Sequence, residues 1–575
     1  MRPRLPYAAT SLLLFALPAL AAPPAIRLDQ LGYAPGARKL AIVEGLEAAQ
    51  PFKLVRADNG RVVLKGGLSA PATWAPADRQ AAIADFSAVT VPGRYRIEVR
   101  GVPASDPFVI DADAYAGVAD AALKAFYFNR AGIALDATHA GAYARAAGHP
   151  DTEVEIHPSA ASPGRPAGSV VSAPKGWYDA GDYNKYVVNS GISTWTLLAA
   201  WSDYPEFFSG RDINIPESGD AVPDILDEAK WNLDWMLAMQ DSGDGGVYHK
   251  LTNLGFDGVV MPDRATARRY MVGKGTAAAL DFAAVMARAS RVYAAYEAQF
   301  PGLSARMRLA AEAAWRWAQQ HPDVPYVQPA DVHTGGYNDA RLDDEFAWAA
   351  AELFVLTGDA DYLSAFERHA AAPDVPSWSN VGTLGWMALA GAPERLPDDA
   401  ARQRVRSALE EAAGRLATQW QQSPWRVAMQ AGDFPWGSNA QALNQAMVLL
   451  QGYRLSGDRA QLDAAQSQLD YVLGRNPLGM SFVTGQGIRT PMHIHHRPSQ
   501  ADGIQAPVPG WLSGGPNPGQ QDLKDCHGVQ YDSKLPALSW LDNECSYASN
   551  EVAINWNAPL VYVSAALQAL TPAKP

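Results

Sequence analysis

The sequence predicts two domains of different class, a small all-β sandwich followed by a large all-α domain. Short β-type segments divided by turn signals fill the chain up to about Ile110, and Ala-rich segments with helical periodicity begin after Ala114. A length of 575 residues also exceeds what a single domain usually holds.

The first element is a leader. MRPRLPYAATSLLLFALPALAAPP carries Arg2 and Arg4, an apolar run from Ala8 to Leu17, and the small-x-small triplet Ala19-Leu20-Ala21. This is the pattern of a secretory signal peptide over residues 1–21, so a secreted or periplasmic protein is expected. No stretch approaches the roughly 20 apolar residues that cross a bilayer, and no membrane association is expected.

Residues 25–112 form the β domain. KLAIVEG, PFKLVRADNGRVVLKG, IADFSAVTVPGRYRIEVRG and DPFVID read as strands. Asn59-Gly60 signals a hairpin, and TVPGRYRIEV alternates as a half-buried strand does.

Residues 113–572 form the helical domain. About a dozen amphipathic segments follow one another, among them YAGVADAALKAFYF, GTAAALDFAAVMARASRVYAAY and NAPLVYVSAALQAL. Antiparallel helix pairs arranged this way build either a closed toroid or a solenoid. Long Gly- and Pro-rich loops, notably 147–176, 479–509 and 510–549, interrupt them, and loops of that length usually carry function.

Bulk charge excludes some partners. The net charge is −13 without a basic stripe, which argues against nucleic acid or an anionic membrane surface. Two cysteines, Cys526 and Cys545, are either a loop-closing disulfide or two separate buried thiols, and their spacing does not decide.

The candidate chemistry lies in three places. GWYDAGDYNKY sets Asp179 and Asp182 around Gly181, leading into the helical pattern YNKYVVNSGISTWTLL. Alone, such a pair reads as a helix cap at least as readily as a site. WLDNECSYASNEVAINWNAPLVY places Asp542, Glu544 and Glu551 among Trp540, Tyr547 and Trp556. Aromatic residues stack on sugar faces and desolvate a carboxyl, raising it towards a general acid, whereas the plain alternative is a helix start capped by Asn550. Between them, MHIHHRPS offers His493, His495, His496 and Arg497 without the spacing of a metal motif. The nucleophile elbow GxSxG and the phosphate loops GxGxxG and GxxxxGK[ST] are absent.

Taken together, DAGDYNKY, the His495-x-Arg497 segment and WLDNECSYASNEVAINWNA resemble glycoside hydrolase family 9, the inverting cellulases. The last segment fits the family pattern through Trp540, Asp542, Tyr547, Glu551, Ala553, Asn557 and Ala558. The β-rich start resembles the immunoglobulin-like module of one subgroup. The resemblance implies an immunoglobulin-like sandwich before an (α/α)6 barrel, and single-displacement hydrolysis of β-1,4-glucosidic bonds in cellulose or a related β-glucan. It implies Asp182 as the base that activates water, Asp179 as the group that helps hold that water, and Glu551 as the acid. His495 and Asp542 match positions that serve the acid or the sugar, and Arg497, His249, Trp436 and Trp556 match sugar-binding ones.

Further expectations rest on the same resemblance. Asp339, Asp343, Asp344 and Glu345 in YNDARLDDEF either hold a structural calcium or form a solvated acidic helix start. No cofactor is expected for catalysis. Loop 147–176 contains His149 and His157 but no cysteine, so no zinc is expected there. The enzyme is read as a monomeric endo-β-1,4-glucanase. The alternatives are an exo-acting relative releasing glucose, cellobiose or glucosamine, and a non-catalytic carbohydrate-binding protein.

Overall fold

The computed structural model describes residues 23–571; the leader read over residues 1–21 lies outside them. Eight antiparallel strands build the N-terminal sandwich: β1 (Ala25–Arg27), β2 (Leu40–Glu44), β3 (Pro51–Arg56), β4 (Val62–Gly67), β5 (Ala72–Trp74), β6 (Arg79–Asp85), β7 (Gly93–Val99) and β8 (Phe108–Ile110). One sheet runs β1-β2-β6-β5 and the other β4-β3-β7-β8. Tyr95, Ile97 and Val99 alternate inward along β7 and meet Phe52, Leu54 and Phe108 in the sandwich core. The β3–β4 hairpin turns over Ala57–Arg61, with Gly60 at φ +71°. That connection is longer than a two-residue Asn-Gly turn.

Twelve helices of nine residues or more follow among the described residues. Those closest to the axis are buried on nearly every side, as in Val187–Asp203, Thr276–Tyr293 and Ile554–Leu570. Outer helices such as Leu303–Gln320 and Asp399–Gln422 bury one stripe only, because solvent meets their other face. The last helix, Ile554–Leu570, packs on Val187–Asp203, Ala116–Phe128 and Ser438–Ser456, so the ring is closed and a solenoid is excluded. Closure brings residues near 180 and near 550 to one end of the barrel.

Much of loop 147–176 is ordered by a sheet the sequence did not announce. It runs β10-β9-β13-β12-β11, with β9 (Val154–Ile156), β10 (Val170–Val171), β11 (Lys185–Tyr186), β12 (Tyr248–Thr252) and β13 (Tyr270–Lys274). Lys185 and Tyr186 pair with Leu251 and Lys250, which is why the helix after the DAGD turn starts only at Val187. Cys526 and Cys545 are joined as a disulfide across the C-terminal loop. Among the described residues, no helix is long and apolar enough to cross a membrane.

The sandwich is bolted to the barrel through Trp74. Its ring lies 5.0 Å from Trp425 and 6.3 Å from both Phe434 and Tyr471, and only 3% of its surface is exposed. Backbone bonds from Gln30 to Leu473 and from Ala537 to Pro76 flank it. Trp74→Ala should therefore lower global stability by about 3–5 kcal/mol in urea unfolding. A loss below about 1 kcal/mol would show that the domains stand independently.

Candidate active site

The site is built where the closed ring brings the DAGD turn against the segment before the last helix. Ile554 N donates to Asp179 O at 2.9 Å, and Gly181 N donates to Glu551 Oε1 at 3.3 Å. His495 N bonds Asn550 O, and Arg497 N bonds Gly181 O. Gly181 has no positive φ to explain it; a Cβ there would sit 2.2 Å from the His495 carbonyl oxygen. Glycine is required because the His495–Arg497 backbone crosses directly over the turn.

Asp179 and Asp182 are each held by donors. Asn189 Nδ2 and Tyr337 OH donate to the two oxygens of Asp179 at 2.5 and 2.7 Å, and Asn184 Nδ2 donates to Asp182 Oδ2. Burial, then the neighbouring Asp182, pushes Asp179 up to about 8. Burial also raises Asp182, but the Arg497 guanidinium, the Asn184 bond and Arg269 favour its carboxylate. Glu551 is driven well above the ordinary range by burial and by the Asp182 charge. The environments thus set the two carboxyl groups apart, Glu551 being driven further above its ordinary range than Asp182.

These carboxyl groups lie in a cleft of two lobes, 360 and 700 Å³, which share Asp182, Phe256, Gly335, Trp436 and Glu551. Tyr186, Tyr337, Trp378 and Trp556 line one lobe. His495, Arg497, Gln521, Lys524, Asp525 and Tyr547 line the other, along with Cys545 of the disulfide. Trp436 is 42% exposed and leans on Tyr547 at 5.4 Å, leaving a face for a sugar ring. His495 Nδ1 donates to Glu544 O at 2.6 Å, and burial lowers its pKa to about 4, so the neutral imidazole keeps Nε2 as an acceptor.

Several sequence candidates lie elsewhere. Asp542 does not line the cleft: it accepts from Met492 N, His493 N and Asn550 Nδ2, fixing the loop segment before His495 and the residue before Glu551. His249 is 1% exposed, stacks on Tyr326 at 3.7 Å and bonds Gly336 O through Nε2, so it touches the cleft wall from behind. Asp343 is exposed and pairs with His369, away from Asp344. The buried oxygens of Glu345, one of Asp339 and both of Asp281 lack hydrogen-bond partners, a signature of a missing cation or of protonation. Among the described residues, however, no three His, Cys, Asp or Glu side chains converge to hold a metal ion. Phe256, Tyr337 and Trp378 enter the cleft without having been singled out in the sequence. Tyr337 sits within the quoted YNDARLDDEF, at a strained φ of +48°.

Comparison with known proteins decides the family. The profile of glycosyl hydrolase family 9 matches residues 115–564, and that of the cellulase N-terminal ig-like domain matches residues 21–104. The chain belongs to glycosyl hydrolase family 9. This family 9 hydrolase is 46% identical to a xyloglucan-specific endo-beta-1,4-glucanase of Bacteroides ovatus, over 95% of this chain and 94% of that protein. It is 32% identical to Endoglucanase D of Acetivibrio thermocellus, over 94% of this chain and 83% of that protein. Among solved structures, a Bacteroides ovatus family 9 protein superposes with a TM-score of 0.89 at 44% identity, covering 95% of this chain and 99% of that one. A structure titled AaCel9A in complex with cellobiose-like isofagomine superposes at 0.85 with 33% identity, covering 95% and 99%. The fold class is therefore an immunoglobulin-like sandwich followed by the (α/α)6 barrel of family 9.

One consequence is electrostatic. Burial raises Asp182 and Arg497 is the leading charge that opposes the rise, so Arg497→Met should move the acid limb of the kcat/KM profile up by about one pH unit or more. An unmoved limb would separate Arg497 from the base.

Proposed function

We propose that this family 9 hydrolase cleaves β-1,4-glucosidic bonds within glucan chains by single displacement with inversion. The observation that carries the reading is that Asp182 and Glu551 line both lobes of one cleft, with Glu551 driven well above the ordinary range while Asp182, also raised by burial, is drawn back by Arg497 and Asn184. Asp179 and Asp182 would hold one water. Asp182 takes its proton as the oxygen attacks the anomeric carbon, while Glu551 protonates the departing glycosidic oxygen and the C1–O bond breaks. Solvent then restores the proton to Glu551 and removes one from Asp182. No cofactor takes part.

Two adjoining lobes that share Asp182 and Glu551 suit internal cleavage of a polymer, and Trp436, Trp378 and Phe256 offer stacking faces. For the finer substrate we propose a branched β-1,4-glucan of the xyloglucan type, supported by the relative named for that specificity. The leader and the disulfide support export to an oxidising compartment, where the chain acts as a monomer. The unpaired oxygens of Asp339 and Glu345 support a structural calcium whose remaining ligands would come from backbone or water, and no chemical step passes through it.

The test uses xyloglucan, carboxymethyl cellulose and mixed-linkage glucan, following viscosity against reducing ends. The expected outcome is early loss of viscosity, with xyloglucan the best substrate. Asp182→Ala and Glu551→Gln should each lower turnover by roughly 10²- to 10⁴-fold while leaving the circular dichroism spectrum intact. Near-normal turnover in either variant would overturn the roles, and reducing ends appearing without thinning would overturn the endo reading.

A further inference from the structure

Lys250 is a buried cation without a buried anion beside it. It lies on β12 with no exposed surface, and among the described residues no carboxylate lies within ion-pairing distance of its ammonium. Burying an unpaired charge is unfavourable, and a merely structural position here would be filled more stably by an apolar side chain. Its three donors are instead all used on one stretch: Gly335 O at 2.7 Å, Gln328 Oε1 at 3.0 Å and Thr334 Oγ1 at 3.1 Å.

From that point two hydrogen-bonded branches lead to the two aspartates. In the first, Lys250 fixes Gly335 while the neighbouring His249 fixes Gly336, and the next residue, Tyr337, presents its hydroxyl to Asp179 Oδ2 at 2.7 Å. In the second, Thr334 Oγ1 meets Thr252 Oγ1 at 2.7 Å, Thr252 donates to Asn184 Oδ1 at 2.8 Å, and Asn184 Nδ2 donates to Asp182. With Lys250 donating to Thr334, each hydroxyl along this line can donate onward. The chain then runs in one sense from an ammonium to a carboxylate, and such ordering strengthens each link. Burial lowers the pKa of the Lys250 ammonium to about 7, and Asp182 is the charge that opposes this and favours its protonated form.

We infer that Lys250 is a positioning residue for hydrolysis, the node that holds Tyr337 on Asp179 and Asn184 on Asp182 so that the two carboxyl groups share one water. The inference rests on the water-activating roles proposed above. Lys250 lines neither lobe of the cleft, so its influence falls on the chemical step and leaves ground-state binding alone.

The experiment is a double-mutant cycle on a soluble glucan with wild type, Lys250→Met, Tyr337→Phe and the double variant, each checked for its melting temperature. Lys250→Met should lower kcat by about 10- to 100-fold with KM little changed, because a misplaced water-holding pair loses near-attack geometry. In the Tyr337→Phe background the same change should have a smaller effect, since one of the two branches has already been cut and only the Thr334 line remains to lose. Thr334→Val, which severs the line to Asn184 and removes one acceptor of Lys250 at the cleft wall, should lower kcat in the same direction and serves where Lys250→Met does not fold. Independent, multiplying losses in the cycle, or an unchanged kcat in Thr334→Val, would overturn the inference. Absence of hydrolysis by the wild type, or full activity in Asp182→Ala, would instead overturn the underlying reading.

Discussion

Two hydrogen bonds close the catalytic domain on itself, and the site exists because they form. Ile554 N reaches Asp179 O, and Gly181 N reaches Glu551 Oε1, across the 369 residues of sequence that separate Asp182 from Glu551. A chain of helix pairs makes such contacts only if the last helix returns to the first ones. Ile554–Leu570 does so by packing between Ser438–Ser456 and Val187–Asp203. The sandwich contributes from outside, since Trp74 packs on Phe434, two residues before the exposed Trp436 of the cleft.

Within that frame, similar carboxyl groups acquire different acidities from their surroundings. Asp182 lies within the influence of Arg497 and accepts from Asn184, and both favour its charge. Glu551 feels the same guanidinium, but burial and the Asp182 charge outweigh it. Asp179 is held between Asn189 and Tyr337 and stays the weaker acid of the pair, which suits holding a water better than deprotonating it.

Much of this was legible in the sequence, for physical reasons that differ by element. Strand alternation in RYRIEV and helical periodicity report burial one residue at a time, so both domains were readable. Asp179, Asp182, Glu551, His495, Arg497, Trp436 and Trp556 lie in segments with strong motif content, and the structure brings them to one cleft. What escaped depends on contacts between distant segments. Gly181 looked like a turn glycine, yet it is needed for the crossing of His495. Lys185 and Tyr186 looked helical until β12 paired with them. Asp542 sat among acidic and aromatic residues like a site residue, although its oxygens are taken by backbone amides of Met492 and His493. Asp281 and Lys250 are polar residues inside apolar-looking helix and strand patterns, and a sequence pattern cannot show what a buried charge faces. The disulfide needed the Cα separation of 5.2 Å, which spacing in sequence does not give.

The central claim is that Asp182 and Glu551 act on opposite sides of the glucosidic bond in one displacement by water. Proton NMR of the anomeric region during the first minutes of hydrolysis of a β-1,4-glucan oligosaccharide tests it most directly. The account predicts that the new reducing ends appear first as the α-anomer and only later equilibrate. Initial β-anomer would contradict it, because retention needs a covalent intermediate on one of these carboxylates.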